Sequence, residues 1–175
     1  MRMVLTGSPG TGKTTLGKKL AKNLKATFIE VNALVKKDKL LSHRKKGETE
    51  LTVNLKMLEK ALKKKLKGKR KFVVVGHLAC EVKIPADLVI VLRCEPRHLW
   101  NRLKKRKYSF KKIRDNVLTE ILDYCGVIAE KKYRKIIQVE HTAGLSAESL
   151  LKKIRQGGDK VSWMKYLKTH EKLFR

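Results

Sequence analysis

Acidic residues are scarce in this chain. Sixteen Asp and Glu stand against 44 Lys and Arg in 175 residues, which leaves a net charge of +28 and a pI near 10.3. An excess of that size costs self-repulsion in the folded state. It excludes a surface of matched ion-pair networks, which needs acids in comparable number. It points to a polyanionic partner, with RNA the leading candidate; a lysine-rich surface kept for solubility or heat tolerance is the alternative. Cysteine is sparse as well. Cys80, Cys94 and Cys125 are scattered, odd in number and without metal-ligand spacing, which fits packed thiols in a reduced, cytoplasmic protein. No apolar run approaches the length of a membrane span. The chain opens directly into a strand, so no signal peptide is expected. The length suits one domain with a core that needs no staples.

The stretch that organises the rest is Gly7-Ser8-Pro9-Gly10-Thr11-Gly12-Lys13-Thr14-Thr15. It satisfies G-x-x-x-x-G-K-[ST] in full, between an apolar strand over residues 1–5 and a helical pattern over 15–24. Strand, glycine loop and helix together are the context this motif requires. Gly7, Gly10 and Gly12 allow backbone conformations that turn successive N–H groups inward. The helix start adds unpaired donors and a positive dipole end. Lys13 would set a cation on the β- and γ-phosphates of a nucleoside triphosphate, and the Thr14 hydroxyl can bind the accompanying Mg²⁺.

Downstream, strands and helices alternate. Strands are expected at 27–31, 72–75, 88–92 and 136–139. Helices are expected from Val31 to Lys36, from Glu48 to about Lys67 (stripe Leu51, Leu55, Leu58, Leu62, Leu66), through Leu99, Trp100 and Leu103, and over 146–155. A long helix from about Phe110 carries Ile113, Val117, Ile121 and Cys125 on one face. Residues 37–49 suggest a mobile surface loop, Gly157-Gly158 a hinge, and 161–174 a last amphipathic segment that packs Trp163, Met164, Leu167 and Phe174 on the core. Uniformly apolar strands alternating with helices predict a doubly wound parallel sheet covered on both faces. Ligands bind beyond the carboxyl ends of such strands. Gly7, His77, Arg93 and the end of the fifth strand should therefore share one rim.

Several blocks in this order resemble the adenylate kinase isoenzyme 6 family in its archaeal form. They are the glycine loop running on to Leu20-Ala21, Val75-Gly76-His77, Val91-Leu92-Arg93, and Arg102-Leu103 to Arg106-Lys107-Tyr108 with Lys112, Ile113, Asn116 and Glu120. The match covers roughly residues 3–155, and the Arg102/Arg106/Tyr108 block is its specific part. The resemblance implies an α/β P-loop nucleoside monophosphate kinase fold with a five-stranded parallel sheet in the order 2-3-1-4-5, as one domain over 1–175. It also implies a monophosphate-binding arm at about 30–53 and a lid at about 105–115. The implied activities are phosphoryl transfer between ATP and AMP, and ATP hydrolysis. The implied setting is late maturation of the small ribosomal subunit, with the small-subunit ribosomal protein eleven and pre-ribosomal RNA in the 30S particle as partners and no membrane.

By position, Gly10, Gly12, Lys13, Thr14 and Thr15 would hold the ATP phosphates, and Arg106 would reach the transferring group. Arg102 is a plausible companion, and Lys36 matches a cation of the monophosphate arm. The family often ends its third strand in Asp-x-His, whereas this chain has Val75-Gly76-His77. Mg²⁺ would then rest on Thr14, phosphates and water, which that ion tolerates. His77 could position a water or a second phosphate, or be satisfied by the backbone at a strand end. Two further functions stay open. One is a ribosome-assembly ATPase with little kinase activity. The other is a kinase for a metabolite alcohol, which needs a carboxylate base near the loop; Glu30 is the sole acid near the second strand.

Overall fold

Five parallel strands, β1 (Arg2–Thr6), β2 (Thr27–Glu30), β3 (Phe72–Val75), β4 (Leu88–Arg93) and β5 (Ile136–Glu140), pair in the order β2-β3-β1-β4-β5. That is the order the resemblance implied. The computed structural model describes residues 1–41, 52–142, 144–170 and 173–174. Its register sets Met3 between Val73 and Leu88 at the centre of the sheet.

The strands read as unbroken apolar runs because both faces are covered. Val4, Val74, Val89 and Val91 turn to one face, against α2 (Val31–Lys37), α3 (Leu55–Leu66) and α6 (Tyr124–Glu130). Met3, Leu5, Val73, Val75, Ile90 and Leu92 turn to the other, against α1 (Lys13–Asn23) and α7 (Ala147–Arg155). Sequence neighbours part to opposite faces, as the pleat requires. A third cluster lies beside the sheet. Leu99 and Leu103 of α4 (Pro96–Lys105) meet Ile113, Val117 and Ile121 of α5 (Phe110–Ile121), with Trp163, Leu167 and Phe174 packed on them. Cys80, Cys94 and Cys125 are free and buried.

Some boundaries differ from the sequence expectation. α3 begins at Leu55 rather than Glu48, because the Asn54 side chain accepts the Met57 N–H at 3.1 Å and caps the helix there. Leu55 is consequently on the exposed first turn, while Leu58, Leu62 and Leu66 are buried. The start of the expected surface loop is tied down: Leu40 is buried, its carbonyl accepts the Asn54 N–H, and Leu41 bridges Val53. Residues 42–51, with the rest of that loop and Leu51, lie outside the described residues.

The helix from Phe110 stops at Ile121, and Cys125 belongs to α6. Asp123 separates the two in a left-handed conformation, φ 52°, with its carboxylate accepting the Gly126 N–H. Asp tolerates that conformation, and apolar spacing gives no sign of it. At the C-terminus the α-helix among the described residues, here α8, is Met164–Thr169. Trp163, Leu167 and Phe174 pack inward as expected, but Met164 is 46% exposed.

Candidate functional site

β1 delivers the chain to the carboxyl edge of the sheet, where Gly7 to Gly12 turn it into α1. Gly7, Gly10 and Gly12 have φ of 136°, 92° and 95°. At Gly7 a Cβ would stand 2.3 Å from the Leu92 carbonyl oxygen, and at Gly12 it would stand 2.4 Å from the His141 ring. Both positions need glycine for conformation and for space. Gly12 caps α1 and has no side chain with which to satisfy the helix start. The N–H groups of Gly10, Gly12, Lys13, Thr14 and Thr15 find no acceptor among the described residues. These donors converge at the positive end of a helix.

Lys13 is folded under this loop and only 8% exposed. Its Nζ donates to the Ser8 carbonyl at 2.7 Å and to the Thr11 hydroxyl at 3.3 Å. Among the described residues no carboxylate pairs with it. Burial pushes the amine down to about 8, and the Arg106 charge acts in the same direction. A buried ammonium held by dipoles alone is costly, and an anion in the loop would relieve it. Next along α1, the Thr14 hydroxyl donates to Glu30 Oε1 at 2.9 Å.

The loop forms one side of a cleft of about 1230 Å³. Gly10, Gly12, Lys13, Thr14, Thr15, His77 and Arg106 all line it, so the residues expected to hold the ATP phosphates and to act on the transferring group meet in one place. Glu30 lines it as well, and α5 closes the far side with Lys112 and Asn116. His77 begins a short 3₁₀ turn, His77–Cys80, beyond β3. Its carbonyl accepts the Thr6 hydroxyl at 3.2 Å and the Cys80 thiol at 3.0 Å. Its half-buried ring makes no hydrogen bond among the described residues. Burial, then the Lys13 charge, hold the imidazole below its ordinary pKa, so it is neutral at neutral pH and able to accept a proton. Arg106 sits exposed at the C-terminal cap of α4. Residues 105–115 comprise the end of that helix, a turn with Lys107 at φ 57°, and the first turns of α5.

Arg102 does not line the cleft. It turns to His141, with Nη1 3.4 Å from Nδ1. His141 lies just past β5 and was not singled out, although the end of that strand was expected at this rim. Its Nδ1 lies 2.5 Å from the Thr11 carbonyl oxygen. A carbonyl only accepts, so Nδ1 carries the proton and donates. The ring thus braces the loop from above Gly12. Burial, and then Arg102, lower its pKa. Lys36 is exposed on the last turn of α2, away from the cleft lining.

Arg93 departs from expectation. It ends β4 at the right edge of the sheet, but its side chain turns inward and is 1% exposed. Nε donates to Glu120 Oε1 at 2.8 Å and Nη2 to the Glu120 carbonyl at 2.8 Å. Nη1 meets Gln138 Oε1 at 2.7 Å and Asp123 Oδ1 at 3.0 Å. It braces the α5–α6 break and offers nothing to a ligand.

Comparison with known proteins agrees with this fold. The protein-family model described as AAA domain matches residues 3–123. Proteins named "Putative adenylate kinase" are similar over most of their length. The one from Methanocaldococcus jannaschii is 34% identical over 142 residues, 81% of this chain and 77% of its own. The one from Pyrococcus furiosus is 36% identical over 154 residues, 88% and 82%. The chain belongs to this family. The family's fold recurs in solved kinases of low identity. A shikimate kinase from Bacteroides thetaiotaomicron superposes with a TM-score of 0.56 at 20% identity, over 79% of this chain and 85% of that one. A gluconokinase from Sinorhizobium meliloti 1021 does so with 0.52 at 15%, over 97% of each. These two share the P-loop kinase fold. Among the described residues of this family member, no helix is long and apolar enough to cross a membrane.

Proposed function

We propose that the protein is an adenylate kinase, an ATP-dependent nucleoside monophosphate kinase that transfers the terminal phosphoryl group of ATP to AMP. The observation that carries this is the buried Lys13, held among the described residues only by carbonyl and hydroxyl oxygens, beneath a ring of N–H groups that find no acceptor there. Such a cup suits a multiply charged anion. The relatives' names favour a monophosphate as acceptor.

In this reading Gly10, Gly12, Lys13, Thr14 and Thr15 grip the ATP phosphates. Arg106 comes over the transferring group and takes up charge on its equatorial oxygens. A phosphate oxygen of AMP attacks the γ-phosphorus, the bond to the ADP oxygen breaks, and two molecules of ADP leave. Mg²⁺, resting on Thr14, would neutralise phosphate charge. Residues about 30–53 act as the monophosphate arm and about 105–115 as the lid. His77, neutral and free to accept a proton, can instead orient a water, which gives ATP hydrolysis.

A coupled assay with ATP and AMP tests the kinase: ADP must form faster with AMP than without it. R106A should lower turnover about a hundredfold with little change in ATP affinity. Equal ADP formation with and without AMP rejects the kinase. Alcohol acceptors in place of AMP separate this reading from metabolite phosphorylation.

The charge supports a second role. A net +28 suits a protein that works on RNA, so we also propose action in the cytoplasm on the maturing small ribosomal subunit, with ribosomal protein eleven and pre-ribosomal RNA as partners. Recovery of small-subunit components on the tagged protein, altered by ATP and weakened by salt, is the expected result. RNA affinity that is absent or indifferent to salt rejects it.

A further inference from the structure

We infer that Glu30 is the carboxylate of a divalent-cation site that it shares with Thr14, standing in from β2 for an acid that β3 does not supply. The inference rests on the reading that the cleft binds nucleotide phosphates.

The end of β3 offers no acid. Val75 is turned into the apolar cluster beneath α1, and a Cβ at Gly76 would strike Val31 at 2.6 Å. β2 pairs with β3 so that Glu30 lies level with Val75. A carboxylate on the neighbouring strand therefore reaches the same edge. Glu30 occupies the N-cap of α2 yet does not cap that helix with its side chain. The side chain is spent on Thr14 instead, at 2.9 Å. The second carboxylate oxygen, Oε2, makes no hydrogen bond among the described residues and belongs to a residue lining the cleft.

Two physical points turn this contact into a cation site. A hydroxyl that ligates a metal uses a lone pair, so its proton must point elsewhere. An acceptor on the far side fixes that orientation, as partners behind a ligand do in metal sites generally. Secondly, a carboxylate beside a polyphosphate is repulsive unless positive charge stands between them. In a chain with so few acids, one placed against the first turn of the phosphate helix opposes anion binding by itself and favours it when a cation is present. Mg²⁺ or Mn²⁺ suits such a place, since these ions keep most of their waters and need few protein ligands. Glu30 is thus a positioning residue. It would accept hydrogen bonds from the ion's waters and hold the Thr14 hydroxyl, without touching the transferred group.

The test is ADP binding by titration calorimetry, in EDTA and in Mn²⁺, for the wild type and E30Q. Glutamine keeps the size and can still accept the Thr14 proton, but it lacks the charge. In EDTA, E30Q should bind ADP as well as the wild type or more tightly, because a repulsive charge is gone. In Mn²⁺ the gain that the ion confers should fall about tenfold or more. Paramagnetic resonance of bound Mn²⁺ on the ADP-loaded protein should show the same weakening without any turnover. An equal Mn²⁺ gain in both proteins overturns the inference. Equal weakening in both buffers also overturns it, because Glu30 then only shapes the loop. Wild-type protein that binds no ADP in either buffer sinks the nucleotide reading and this inference with it. Melting without nucleotide checks the fold. Should E30Q not fold, E30D carries the test: a smaller loss in Mn²⁺ and none in EDTA supports the site, and equal losses reject it.

Discussion

β4 ends on Arg93 and β1 leads to Lys13. Both cations are buried at the carboxyl edge of one sheet, with 1% and 8% of their surface exposed. Arg93 finds Glu120, Asp123, Gln138 and a carbonyl around its guanidinium. Lys13 finds a carbonyl and a hydroxyl. Among the described residues, one cation has its counter-charge and the other does not. A buried cation with its anion supplied by the fold is architecture. One left with dipoles alone is a place for an anion from outside.

The largest effect tests the matched cation. E120A leaves the Arg93 guanidinium buried beside a lost partner, which costs about 3–5 kcal/mol. That corresponds to a melting temperature lower by about 10 °C or more. If melting is unchanged, Arg93 relaxes into solvent and the contrast between the two cations collapses.

K13A tests the unmatched one. Truncation removes an ammonium that no carboxylate pairs with among the described residues, so the melting temperature without ligand should hold or rise. ADP affinity should fall by about 2 kcal/mol or more, roughly thirtyfold. A protein that loses stability but keeps ADP affinity would show that Lys13 belongs to the architecture after all.

How much of this contrast was legible beforehand follows from the same two residues. The glycine loop carries its own instructions. Gly7, Gly10 and Gly12 mark positive φ, and Lys13-Thr14 follows at fixed spacing. The strands were legible too, since Val73-Val74-Val75 and Val89-Ile90-Val91 read as runs buried on both faces. Arg93 was placed correctly on the edge, yet its direction was not legible. The partners that draw it inward lie 27 and 45 residues away, on elements that meet only in the fold. The break at Asp123 was hidden for the same reason: Gln138 Nε2 donates to its carboxylate at 2.6 Å from another strand. His141 acts through the space above Gly12, which no local pattern signals; Glu30 could be named as an acid near the second strand, but its contact with Thr14 could not.

Titration sharpens the comparison further, with a sign that can be worked out. The Lys13 amine is lowered from 10.5 to about 8 by burial. Below pH 8 the folded and unfolded chains both carry the proton, and the folded state bears the full cost of burying it. Between about pH 8 and 10.5 the folded chain has shed a proton that the unfolded chain keeps, so this group's contribution to stability improves as pH rises. A bound polyphosphate favours the charged amine. ADP affinity should therefore stay level up to about pH 8 and fall above it, by at most about tenfold per unit. Calorimetry across that range reads it directly. K13A, already weak, should show no such fall.

The smallest effect is expected at the edge of the Arg93 network. The Gln138 amide does two things at once: its oxygen accepts from Arg93 Nη1 at 2.7 Å and its nitrogen donates to Asp123 at 2.6 Å. Q138A removes both bonds but leaves Glu120 and Asp123 on the guanidinium, so no charge is orphaned. The cost should then be that of hydrogen bonds to charged groups, about 1.5–3 kcal/mol, below that of E120A and visible in thermal melting. Gln138 sits in β5 two strands from β1 and does not line the cleft, so ADP affinity in Q138A should match the wild type. A drop in affinity would mean that the two buried cations are coupled through β4 and the loop, and that the matched one helps to hold open the place of the other.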